Sequence, residues 1–135
     1  MNFEELGISD DIISVLKNYG IKKPTPIQEQ CIKSVLDGND VIAESQTGTG
    51  KTLSFLLPIF ENISTEDDSV HSLIITPTRE LAIQIAEEAK KLQRAKNIGI
   101  LSAYGGKDID AQIRKLKGGI QLVVATPGRL IDHLK

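Results

Sequence analysis

One residue after the apolar run Val41-Ile42-Ala43, positions 45–52 read Ser-Gln-Thr-Gly-Thr-Gly-Lys-Thr, and this junction constrains the chain more than any other feature. An apolar strand enters, glycines let the backbone fold back so that its N–H groups face an anion, and a helix leaves. In the template G-x-x-x-x-G-K-[ST], Ser45, Gln46, Thr47, Gly48 and Thr49 lead to Gly50, Lys51 and Thr52. Lys51 is then expected to reach the β- and γ-phosphates of a nucleotide, and the Thr52 hydroxyl to help hold Mg²⁺. Ser45 stands where the template has Gly, but it is still small where the turn tightens.

Such a loop needs a sheet behind it, and the rest of the sequence supplies one. Apolar runs at 41–43, 73–76, 98–103 and 122–125 are each followed by a helical pattern, the mark of buried parallel strands with helices on both faces. The helix after the glycine loop is expected over 52–63, thinned or kinked at Pro58. Leu81, Ala82, Ile85, Ala86, Ala89 and Leu92 form a long apolar stripe. Ile109, Ile113 and Leu116 mark another helix, closed by Gly118-Gly119. Two helices precede this alternation. Ser9 caps the first, which ends near Gly20, while Thr25 with Pro26 starts the second, which ends at Asp37-Gly38-Asn39. The acidic segment 64–69 is expected as a solvated connection.

With 135 residues, 40% hydrophobic and 25% charged, the composition suits one modest globular domain. No apolar stretch approaches a membrane span and the N-terminus has no basic signal-like region, so a cytoplasmic location is expected. Cys31 lies on an apolar helix face and is expected as a buried, inert thiol; His71 and His133 lack metal-ligand spacing and are expected at the surface. The net charge of −2 means that any nucleic-acid contact must come from local basic groups and backbone amides.

Three further strand-to-helix junctions offer such groups. Pro77-Thr78-Arg79 follows the second apolar run, Tyr104-Gly105-Gly106 the third, and Thr126-Pro127-Gly128-Arg129 the fourth. In open α/β sheets ligands gather beyond the carboxyl ends of the strands. Two junctions combine a capping Thr, first-turn amides and an Arg, while the other offers two glycines for close backbone approach. Capping alone, with the arginines paired to nearby acids, accounts for each junction singly. Their repetition beside a phosphate loop favours a phosphodiester backbone.

Together these elements resemble the N-terminal part of a DEAD-box ATP-dependent RNA helicase over essentially the whole chain. Phe3 with the segment 20–28 is similar to the family's Q motif, 45–52 to motif I, 77–82 with Gln84 to motif Ia, Gly105-Gly106 to the GG element, and 126–129 to motif Ib. The resemblance implies an incomplete RecA-like P-loop NTPase domain in the α/β class, divided as a helical segment 1–37 and a RecA-like portion 38–135. It implies that Gln28 reads the adenine edge, that Phe3 packs on the base, and that Lys23 belongs to the same nucleotide site. ATP with Mg²⁺ would be the cofactor, with Lys51 and Thr52 as the catalytic pair. Pro77, Thr78, Arg79, Gly105, Gly106, Thr126, Pro127, Gly128 and Arg129 would hold one RNA strand through phosphates and sugars.

Members of that family continue with Asp-Glu-Ala-Asp, Ser-Ala-Thr and a second RecA-like domain, none of which occurs in these residues. Asp132, inside an expected helix, is a poor substitute for a Walker B carboxylate. Phosphoryl transfer also needs a metal held from the carboxylate side, an oriented water and positive charge at the transition state. The parent protein is therefore expected to be an RNA-stimulated ATPase, and the 135 residues alone to be inactive. Two strands that the family places beside 41–43 are also absent, so marginal stability or strand pairing between two copies is expected. A different P-loop NTPase or kinase, and a non-enzymatic form that binds ATP or RNA, are the alternatives.

Overall fold

The computed structural model describes residues 2–43, 51–63, 70–103 and 119–127. Contacts divide the chain into two compact units, Met1–Asn62 with Arg94–Lys96, and Ile63–Gln93 with Asn97–Lys135. Among the described residues no helix is long and apolar enough to cross a membrane.

In the first unit, helix α1 (Asp10–Asn18) buries Ile12, Val15 and Leu16. Its expected cap, Ser9, contributes backbone only: the side chain makes no capping bond, and the Ser9 N–H donates to Glu61 Oε1 at 2.7 Å. Asp10 and Asp11 in the first turn complement the helix dipole instead. The other end closes as the sequence suggests. Gly20 has φ +79°, its N–H donates to Lys17 O, and Ile21 N–H donates to Leu16 O, so two orphan carbonyls are satisfied by a left-handed residue that only glycine adopts cheaply.

Helix α2 (Pro26–Leu36) starts with Pro26 in its first turn, and the same pair of backward bonds, Gly38 N–H to Val35 O and Asn39 N–H to Ser34 O, ends it. Helix α3 (Lys51–Asn62) packs on α2 and buries Leu53, Leu56, Leu57 and Phe60. It runs through Pro58, which is itself buried and removes one rung of the hydrogen-bond ladder, that to Ser54 O.

The first apolar run does not become a strand. Residues 41–43 carry no sheet pairing and are exposed, Ile42 at 97%. Sequence pattern alone suggested otherwise, because an apolar run shows readiness to be buried in a ladder but not the presence of neighbouring strands to complete it.

The second unit holds a parallel sheet in the order β1-β3-β2, made of β1 (Ser72–Ile75), β2 (Ile100–Ala103) and β3 (Leu122–Ala125). Leu73, Val123 and Leu101 lie in one register row, and Ile75, Ala125 and Ala103 in another. β2 and β3 are buried throughout, and helix α4 (Arg79–Leu92) packs on both with Ala82, Ile85, Ala86, Ala89 and Leu92 inward. β1 is an edge strand of this sheet, and on it Leu73 and Ile75 stay largely exposed. Burial on both sheet faces, expected for every strand, thus fails at β1.

The strand β2 starts two residues later than the expected run because Gly99 is used differently. Its N–H donates to Gln121 Oε1 at 2.6 Å, its carbonyl accepts from Gln121 and Leu122, and a Cβ there would collide with Gly119 O. Cys31 is buried and free, and His71 is exposed. The helix expected around 109–116, the acidic segment 64–69, Asp132 and His133 lie outside the described residues.

Candidate functional site

In the first unit the site grows from the start of α3. Lys51 is its first residue and is exposed, Thr52 is its second and is half-buried, and no acid occupies the first turn. The N-terminal end of a helix carries the positive end of the helix dipole, and together with a lysine it favours an anion. Ser45, Gln46, Thr47, Gly48, Thr49 and Gly50, which should complete the loop, lie outside the described residues.

Thr25 and Gln28 form a reciprocal capping box. Thr25 N–H donates to Gln28 Oε1 at 2.9 Å, and Gln28 N–H donates to Thr25 Oγ1 at 3.4 Å. The spacing Thr-x-x-Gln carries this signal, which sequence reading used only for the cap. Since a backbone N–H can only donate, the bond fixes which end of the Gln28 amide faces Thr25. Gln28 is 3% exposed and Phe3 2%, so both side chains pack into the interior. The Phe3 carbonyl accepts from Leu6 and Ile8 N–H, tying down the chain that leads into α1. Lys23 is exposed.

A cavity of about 530 Å³ opens beside Lys51, lined mainly by apolar side chains that include Ile27, Cys31, Val41 and Phe55. Gln28 and Lys23 are not part of its lining, so it is not the adenine site that the sequence suggests. Among the described residues no group of three or more His, Cys, Asp or Glu could hold a metal ion. Thr52, the second residue of α3, has a hydroxyl oxygen to offer a cation there. That fits a Mg²⁺ ion carried mainly by phosphate oxygens and water, and does not fit an all-protein cage.

In the second unit, register decides what comes together. Ile75, Ala125 and Ala103 end their strands side by side, and the ladder runs one step further through Thr76 N–H to Ala125 O and Thr126 N–H to Ala103 O, both 2.9 Å. The two Thr-Pro junctions, 76–78 and 126–127, therefore leave from one carboxyl edge. Thr78 caps α4 through Oγ1, which accepts from Leu81 N–H at 3.2 Å. Buried Thr76, which the sequence reading missed, donates its hydroxyl to Thr78 O at 2.9 Å and so fixes the turn that carries Pro77 and Thr78. Its only sequence signal is a hydroxyl residue two places before a cap.

Arg79 meets Glu80 at 3.9 Å with both side chains well exposed, a contact too long and too solvated to hold the guanidinium back from a phosphate. Pro77 and Pro127 are exposed and Thr126 half-buried. Gly105, Gly106, Gly128 and Arg129 lie outside the described residues.

A model of the DEAD/DEAH box helicase family matches residues 25–135. The ATP-dependent RNA helicase CshA of Limosilactobacillus reuteri is 52% identical over 134 residues, covering 99% of this chain and 27% of the relative. The DEAD-box ATP-dependent RNA helicase CshA of Streptococcus pneumoniae is 47% identical over 135 residues, 26% of its length. Among solved structures, a DEAD box protein from the hyperthermophile Methanococcus jannaschii superposes with a TM-score of 0.92 at 44% identity, over 99% of this chain and 37% of that one. A hypothetical ATP-dependent RNA helicase from Sulfolobus tokodaii gives 0.82 at 34% identity, over 93% and 36%. The chain thus spans about a quarter of the length of the curated relatives it matches. Its α/β architecture is that of an incomplete RecA-like domain.

Proposed function

Because this chain belongs to the DEAD/DEAH box helicase family, we propose that it is the part of an ATP-dependent RNA helicase that meets ATP and one RNA strand. The observation that carries the RNA half of this reading is the strand register, which gathers the two Thr-Pro junctions on one carboxyl edge. Thr78 and Arg79 offer first-turn amides and a guanidinium there, and Thr126 and Pro127 stand on the neighbouring strand end. Such donors grip phosphates and sugars and leave base edges unread, so binding is independent of RNA sequence. Gly105, Gly106, Gly128 and Arg129 belong to the same grip.

For ATP, Lys51 supplies a mobile cation toward the β- and γ-phosphates, and the first turn of α3 supplies aligned amides. Thr52 offers its hydroxyl to Mg²⁺, which when bound would neutralise charge on the phosphate oxygens. Adenine is met at the segment 23–28, where the capping box holds the Gln28 amide plane. An amide of fixed orientation suits adenine, whose edge pairs a donor with an acceptor, better than guanine, which offers acceptors there. These residues hold and orient; none of them activates water or balances charge on a transferring phosphoryl group. Hydrolysis and duplex unwinding accordingly belong to the longer protein, together with its further domain, and these residues alone bind without turnover.

Thermal unfolding of the chain with ATP·Mg²⁺, GTP·Mg²⁺ or neither tests the nucleotide half, since a ligand that binds only the folded state raises the midpoint. A rise with ATP alone, abolished by Lys51→Ala, is the expected result. Equal shifts with ATP and GTP would remove the adenine assignment, and a shift that survives Lys51→Ala would remove the phosphate assignment.

A further inference from the structure

The C-terminal end of α3 is held by a residue far away in sequence. Lys96 Nζ donates to Phe60 O at 2.7 Å and to Glu61 O at 3.4 Å, two of the four carbonyls that a helix leaves without an internal partner. α3 has no basic residue in its own last turn and carries an acid there, Glu61, which the helix dipole disfavours. Lys96 supplies the missing cation. Glu61 in turn accepts the Ser9 N–H at 2.7 Å, so three bonds of long sequence separation meet on one turn. The segment Arg94–Lys96 groups with the first unit although the residues on either side of it do not, and the Arg94 guanidinium lies 6.0 Å from the centroid of the Tyr19 ring.

We infer that Lys96 is a positioning residue for nucleotide phosphates: by clamping the last turn of α3 it fixes the direction in which Lys51, Thr52 and the first-turn amides point. The inference rests on the ATP reading above. Pro58 makes the clamp matter more, because it removes the rung from position 58 to Ser54 O, so one fewer bond joins the two halves of the helix. Leverage makes it consequential. A twelve-residue helix is roughly 18 Å long, so a tilt of about 10° moves one end by about 3 Å relative to the other, whereas a charge-assisted hydrogen bond tolerates only a few tenths of an ångström.

The test compares Lys96→Met with Lys96→Arg in two measurements. Without nucleotide, the backbone amide resonances of Thr52 and Leu53, at the opposite end of α3 from the clamp, are expected to move in the Met variant and to return in the Arg variant. With ligand, the Met variant is expected to bind ATP about three- to tenfold more weakly while adenosine binding is unchanged. A structural defect alone would weaken both ligands in proportion. Unmoved Thr52 and Leu53 amides, or proportional loss of ATP and adenosine, would overturn the inference. A wild-type chain with no preference for ATP over adenosine would instead overturn the phosphate reading, and the amide resonances would then decide the clamp by themselves. Should Lys96→Met fail to melt cooperatively, Lys96→Gln, neutral but still a donor, takes its place with the same expected direction.

Discussion

Thr25 and Gln28 illustrate how a single pair of side chains can serve folding and recognition together. The capping box satisfies donors at the start of α2, and loss of such a cap costs about 1 kcal/mol. Thr25→Ala and Gln28→Ala should therefore both lower the thermal midpoint, Gln28→Ala the more because it also empties a buried position. Only Gln28→Ala should also erase the preference for ATP over GTP, which a nucleotide-shift assay on both variants would read. If both variants keep that preference, Gln28 acts on the helix alone. The spacing that makes this box is written in the sequence. The 3% exposure of Gln28 is not, because it depends on what α2 packs against.

At the scale of elements, the strand ends matter more than the strands. Parallel pairing of β1 and β2 with β3 in a common register puts Thr76 and Thr126 one step beyond the sheet at the same edge. Arg79→Ala combined with Arg129→Ala should weaken RNA binding for all sequences alike. For a single strand the slope of log affinity against log salt should shrink by about 1.4 if both arginines release counterions from phosphates. A titration series across salt concentrations checks this, and an unchanged slope would remove both residues from the interface. The individual junctions were legible from Thr, Pro, Gly and Arg after apolar runs. Their common edge was not, since register is a property of paired strands and no single strand encodes it.

At the scale of the molecule, several large apolar side chains are exposed among the described residues. Leu73 and Ile75 on the edge strand β1 are 46% and 57% exposed, and Val41 and Ile42 are exposed in the other unit. An edge strand with uncovered apolar side chains invites another chain to pair with it. We therefore expect this chain alone to self-associate, seen by sedimentation equilibrium as a concentration-dependent rise in mass. Leu73→Lys with Ile75→Lys should return it to a monomer, because a charge on an edge strand opposes pairing. A monomer at all concentrations in the unmodified chain would contradict this. By itself the sequence determined the described helices, the caps at Thr25 and Thr78, the glycine stops at Gly20 and Gly38, and the apolar segments available as strands. All of these depend on spacing and on residue chemistry within a few positions. Tertiary structure alone decided that 41–43 does not pair, that β1 lies at an edge, that Phe3 and Gln28 are core residues, and that Lys96 reaches the end of α3. Each of these depends on which distant segment is present as a neighbour, and burial and pairing are properties of neighbours in space.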